Sequence, residues 1–96
     1  MSVLKIVATI TVKAEYKEDM IKVLHEVVDK TRQEEGNISY DLNVSVENPL
    51  RFVILEVWKS AEAIETHNQS AHFKAFVDAI KGRIESLDIE TITPIY

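Results

Sequence analysis

The chain has no cysteine. Disulfides, thiolate metal sites and cysteine nucleophiles are therefore excluded. A small chain without staples suits a reducing compartment, and a cytoplasmic location is expected. Glycine and proline are scarce, two of each in 96 residues. No phosphate loop, dinucleotide fingerprint or nucleophile elbow can be found among them. Long apolar runs are missing too. Nothing approaches the roughly 20 residues that span a bilayer. The N-terminal "MSVLKIVATI" carries a lysine inside its short apolar run and no small-residue cleavage pattern after it, so it reads as a strand and not as a signal peptide. Basic residues are in deficit, 11 against 16 acidic, for a net charge of −5. That balance speaks against nucleic acid and anionic membranes as partners. Repeats, low-complexity tracts and linkers are absent, and the length suits one domain over residues 1–96.

What is present is a clear alternation of periods. Leu4 to Val12, "LKIVATITV", is rich in β-branched residues and predicts a strand. From about Lys17 to Glu34, Met20, Val23, Leu24, Val27, Val28 and Thr31 follow helical spacing. Gly36 is placed as that helix's C′ residue. Glu34 and Glu35 oppose the helix dipole at this end, and the sequence offers no reason for them. "NISYDLNVSVE" alternates Ile38, Tyr40, Leu42, Val44 and Val46 against polar neighbours, as a strand with one apolar face does. Asn48-Pro49 marks a turn. Arg51 to Trp58, "RFVILEVW", is nearly continuous in apolar residues and predicts a strand covered on both faces. Ser60 and Ser70 are candidate N-caps of two helical segments. In the second, Phe73, Phe76, Val77, Ile80, Ile84 and Leu87 form one stripe, with Gly82 as a destabilising interruption. "DIETITPIY" closes the chain as a strand, with Pro94 at an edge position.

The order βαββαβ is the ferredoxin-like arrangement, an α+β fold with an antiparallel sheet whose first and third strands are central. Helices can cover one face of such a sheet. The other would show Val3, Val7, Val53, Leu55 and Val57, more apolar surface than a soluble monomer leaves in water. A homodimer packed face to face, a dimeric α/β barrel, is expected.

Candidate chemistry centres on "THNQSAHFKAF". On one continuous helix, residues five apart lie roughly 140° apart, so His67 and His72 do not form the i, i+4 pair of a helical metal site. His25 is expected to face outward, so no third ligand is evident and no metal is expected. A helix break at Asn68-Gln69-Ser70 would place His67 at one helix end and His72 at position N2 of the next. The positive helix end would favour a neutral, proton-accepting imidazole at His72. The plainer alternative is that His67 packs beside Ile64 and His72 satisfies a backbone group. Phe52, Ile54, Glu56 and Trp58 share one strand face. Glu56, if buried without a cation, would have a raised pKa and could handle a proton. Alternatively, it accepts hydrogen bonds from a helix end or pairs with a cation. Trp58 could form core or the flat wall of a pocket.

"EEGNISYDL" followed by "FVILEVWKSAEAIETHNQSAHFKAF" resembles the antibiotic biosynthesis monooxygenase family, and in particular its small quinol-monooxygenase-like members, over about Leu4 to Ile95. The resemblance implies a dimeric α/β barrel with a pocket between sheet and helices in each subunit. It implies a cofactor-independent monooxygenase that oxidises a quinol or phenolic molecule with O2. His72 and His67 would be the catalytic groups, and Trp58, Glu56, Tyr40 and Phe73 would bind substrate. Haem-degrading members carry a pocket Asn on the first strand where this chain has Ala8. Some oxygenases carry an Asn four residues before the Trp, where this chain has Ile54. The alternatives are an isomerase or other proton-transfer enzyme on a small oxygenated metabolite, and a non-catalytic dimeric ligand-binding or stress-associated module.

Overall fold

A computed structural model describes residues 3–96; Met1 and Ser2, the first two residues of the expected domain, lie outside the described residues. The strands are β1 (Leu4–Val12), β2 (Asn37–Val44), β3 (Arg51–Trp58) and β4 (Ile84–Ile92). The helices are α1 (Lys17–Thr31), α2 (Ala61–Gln69) and α3 (Ala71–Ile80), with a single 3-10 turn at Ala14–Tyr16. The sheet order is β2-β3-β1-β4, every neighbouring pair antiparallel. This is the expected ferredoxin-like βαββαβ fold. No helix among the described residues is long and apolar enough to cross a membrane.

The three helices lie against one face of the sheet. Ile6, Ala8, Ile10 and Val12 of β1 and Phe52, Ile54, Glu56 and Trp58 of β3 point into that face and are buried. Their alternation with less buried neighbours is the two-residue period of a strand. Helix α1 answers with Met20, Leu24, Val27, Val28 and Thr31, the i, i+4, i+7, i+8, i+11 stripe of one helix side. Across the sheet, Ile10 pairs with Phe52 and Ile6 with Glu56. One end of the core is therefore apolar, and the other contains a carboxyl group.

Three expectations change. Helix α1 stops at Thr31 and does not run to Glu34. The chain leaves it through consecutive turns, with the Glu34 N–H donating to the Thr31 carbonyl (3.0 Å) and the Asn37 N–H to the Glu34 carbonyl (3.1 Å). Gly36 is not a left-handed C′ residue, since Gly82 alone has positive φ among the described residues. Its small size is used for contact instead: a Cβ there would overlap the Cβ of Ala63 in α2. Finally, the stripe from Phe73 does not reach Leu87. Gly82, at φ 75°, turns the chain after α3, and Ile84 and Leu87 belong to β4. Left-handed backbone costs a residue with a Cβ about 1–2 kcal/mol, so glycine is what makes this turn cheap. Pro94 lies beyond β4.

Candidate functional site

Ser70 sets the geometry of the two histidines. Its backbone is extended (φ −69°, ψ 152°), so the helical rise breaks there. It closes α2 by donating from N–H (3.0 Å) and Oγ (2.6 Å) to the His67 carbonyl. It opens α3 by accepting from the Phe73 N–H (3.2 Å). One serine thus ends one helix and caps the next, as the sequence suggested. His67 stands in the last turn of α2 and His72 in the first turn of α3. Ser60 caps α2 in the same manner, accepting from the Ala63 N–H at 3.1 Å.

The break brings both imidazoles to one carboxylate that the sequence left unexplained. Glu34 Oε2 is 2.7 Å from His67 Nδ1 and 2.7 Å from His72 Nε2. Glu34 is held by the turns that follow α1, and the close contact of Gly36 with Ala63 seats α2 against this loop. A backbone bond from the Lys59 N–H to the Gly36 carbonyl (3.0 Å) ties the loop to the end of β3. The only sequence signal for Glu34 was its position at the wrong end of a helix dipole. The three side chains supply two imidazole nitrogens and a carboxylate oxygen within 4.8 Å of one another. Divalent transition ions accept such a donor set. Glu34 is thus a third donor beside the two histidines, where the sequence reading found none.

Glu56 is buried with no cation beside it among its hydrogen-bond partners; Trp58 Nε1–H donates to its Oε1 at 2.8 Å. Burial, reinforced by the charge of Glu34, pushes the Glu56 carboxyl from 4.5 up to about 7, against the opposing indole hydrogen bond. His67 is 3% exposed. Burial lowers its pKa below the usual 6.5, with the Glu34 hydrogen bond working in the opposite direction. Tyr40 is raised, first by burial and then by the Glu56 charge. The Thr31 hydroxyl is near enough to the phenol to oppose that rise. It nevertheless makes no hydrogen bond of adequate geometry among the described residues, so the contact is weak.

A cavity of about 270 Å³ opens beside these groups, between β4 and the α2–α3 junction, lined by Ile6, Glu56, Ile64, His67, Asn68, Phe73, Ile89 and Thr91. It is close to the lower size limit of small-molecule sites, roughly 300 Å³. Of the sequence-predicted residues, Glu56, His67 and Phe73 line it. Trp58 and Tyr40 do not. They pack behind, with Trp58 4.8 Å and Tyr40 5.8 Å from the His67 ring, centroid to centroid. Phe73 flanks the same ring at 4.7 Å. His72 borders a separate recess of about 50 Å³ toward α1. The arrangement gives an apolar chamber with two proton-handling groups on its wall.

Residues 3–79 match the family model described as antibiotic biosynthesis monooxygenase. The chain is 43% identical over 70 residues, 73% of its own length and 74% of the relative's, to YcnE of Bacillus subtilis (strain 168), a protein named provisionally as a monooxygenase. It is 35% identical over 46 residues, 48% of this chain and 44% of the relative, to YgiN of Escherichia coli (strain K12), whose name assigns it provisionally as a quinol monooxygenase. Among solved structures it resembles the protein PA3566 of Pseudomonas aeruginosa, with a TM-score of 0.95 and 25% identity over 100% of this chain and 97% of that one.

Proposed function

Because the chain belongs to the antibiotic biosynthesis monooxygenase family, and is an oxidoreductase of that type, we propose that it oxidises a quinol with O2 in the cavity beside His67. The observation that carries the reading is the lining of that cavity. Ile6, Ile64, Phe73 and Ile89 offer an apolar bed, and His67 and Glu56 offer a base and an acid. Lowered basicity keeps His67 neutral and ready to accept a proton near neutral pH. The raised Glu56 carboxyl retains a proton up to about pH 7 and can donate a hydrogen bond to a substrate oxygen.

In this reading His67 takes the proton of one quinol hydroxyl, and the quinolate passes one electron to O2. Superoxide and the semiquinone join at a ring carbon bearing hydrogen. Protonation gives a hydroperoxide. Loss of that carbon's proton and cleavage of the O–O bond release water and leave a third ring oxygen, a hydroxyquinone after tautomerisation. Quinol and O2 become hydroxyquinone and water. The quinol supplies all four electrons, so the balance calls for no further reductant. The protein contributes desolvation, orientation and proton transfer.

The bare face of the sheet supports a homodimer. Val7, Val53 and Val57 are half-buried there, and Leu55 is 46% exposed. A monomeric mass by analytical ultracentrifugation at micromolar concentration would contradict that assembly. The activity itself is tested by O2 uptake with a panel of benzoquinols and naphthoquinols, against a protein-free blank. Uptake above the blank, with one atom of 18O2 in the product, is expected. Uptake equal to the blank across the panel overturns the reading.

A further inference from the structure

The contacts of Glu34 go beyond packing. We propose that Glu34 is a positioning residue that fixes a proton on His67 Nδ1 and one on His72 Nε2, so that His67 presents an unprotonated Nε2 to the cavity. The proposal rests on the reading of His67 as the base.

A carboxylate has no proton to give and only accepts. A nitrogen–oxygen separation of 2.7 Å is that of a charge-assisted hydrogen bond and requires a proton on the nitrogen. His67 must therefore carry its proton on Nδ1, and His72 must carry its own on Nε2. A neutral imidazole has one N–H, so the opposite nitrogen of His67, Nε2, keeps its lone pair. Nε2 has no hydrogen-bond partner among the described residues, and it is not sealed away: the buried side-chain atom left without a partner is Thr31 Oγ1. The open space against His67 is the cavity.

The ring is also held in the plane this requires. Trp58 and Phe73 pack against it, with ring centroids at 4.8 and 4.7 Å. His72 is the second donor to Glu34 Oε2 and fixes the carboxylate in turn. When Nε2 takes a substrate proton, the imidazolium forms 2.7 Å from an anion in a partly buried site, where the attraction is stronger than in water. Glu34 thus acts through His67 and does not touch the substrate.

Two arms test the proposal. Long-range proton–nitrogen NMR of the full chain at neutral pH reads the tautomers without any substrate. Protonated Nδ1 and unprotonated Nε2 are expected for His67, and a protonated Nε2 for His72. In Glu34→Ala, the His67 pattern should shift toward protonated Nε2. The second arm is quinol-dependent O2 uptake, where Glu34→Ala should lower kcat by about 10²–10⁴-fold with KM nearly unchanged. Glu34→Gln, whose amide oxygen accepts without charge, should fall between. If Glu34→Ala fails to fold, Glu34→Gln carries both arms. A wild-type His67 with protonated Nε2, or a folded Glu34 variant with full kcat, overturns the proposal. If no quinol is oxidised by the wild type, the NMR arm still decides the tautomers, and the failure falls on the functional reading alone.

Discussion

Strand β3 passes through two different interiors. At its start, Phe52 and Ile54 face Ile10 and Ala8 across the sheet, and Met20 and Leu24 of α1 belong to the same core. This end is apolar close packing. At its finish, Glu56 and Trp58 share their face with Tyr40, His67 and the carboxylate of Glu34. Here Glu56 is bonded to Trp58 and His67 to the partly buried Glu34, and a cavity remains open beside them. The first end resembles what a fold builds for stability. The second accepts a proton-bearing acid and a neutral histidine in low dielectric, which a fold serving stability alone would replace with hydrocarbon.

The contrast can be broken from either end. The largest expected effect on stability is at the apolar end. Leu24 is fully buried, and Leu24→Ala should cost about 2–5 kcal/mol in urea denaturation. Activity per folded molecule should not change. At the polar end, Trp58→Phe removes the indole hydrogen bond that the Glu56 carboxyl receives. A loss of about 1–3 kcal/mol is expected from the same measurement, together with impaired turnover.

An effect of similar size follows from Glu56 itself. Between pH 4.5 and about 7 the unfolded carboxyl ionises while the folded one keeps its proton. The folded state then binds more protons, so this contribution to stability is full below pH 4.5, falls through the window and levels off above it. Glu56→Gln lacks the titration. Its stability relative to wild type should rise between pH 4.5 and pH 8, on the order of 3 kcal/mol. A difference that does not vary with pH would show that Glu56 is not held protonated. The smallest effect is at the surface. Arg32 and Asp41 form an exposed ion pair at 3.1 Å, and Asp41→Ala should cost no more than about 1 kcal/mol.

Much of the apolar end could be read in the sequence, because burial there is written as periodicity. The stripe of α1 and the alternation of β1 gave the elements and the order of the sheet. Periodicity also misled. Ile80, Ile84 and Leu87 keep helical spacing by coincidence, while the backbone at Gly82 turns the chain out of α3. Residues four and seven apart cannot tell a helix from a helix that ends and a strand that begins. At the polar end, Ser70 was legible as a cap and the break between the histidines followed from it. Glu34 was visible only as a charge in the wrong place. Its partners lie 33 and 38 residues away, and pairing at that distance leaves no local pattern. The same holds for Gly36, whose contact with Ala63 is tertiary and not conformational.

The central claim is that His67, held by Glu34 against the cavity, is the base that starts quinol oxidation. The most direct measurement is quinol-dependent O2 uptake by His67→Gln beside the wild type, each corrected for spontaneous oxidation. The account predicts a loss of about 10²–10⁴-fold in kcat for the variant, with its circular dichroism unchanged. A folded His67→Gln that turns over quinol at the wild-type rate would contradict it.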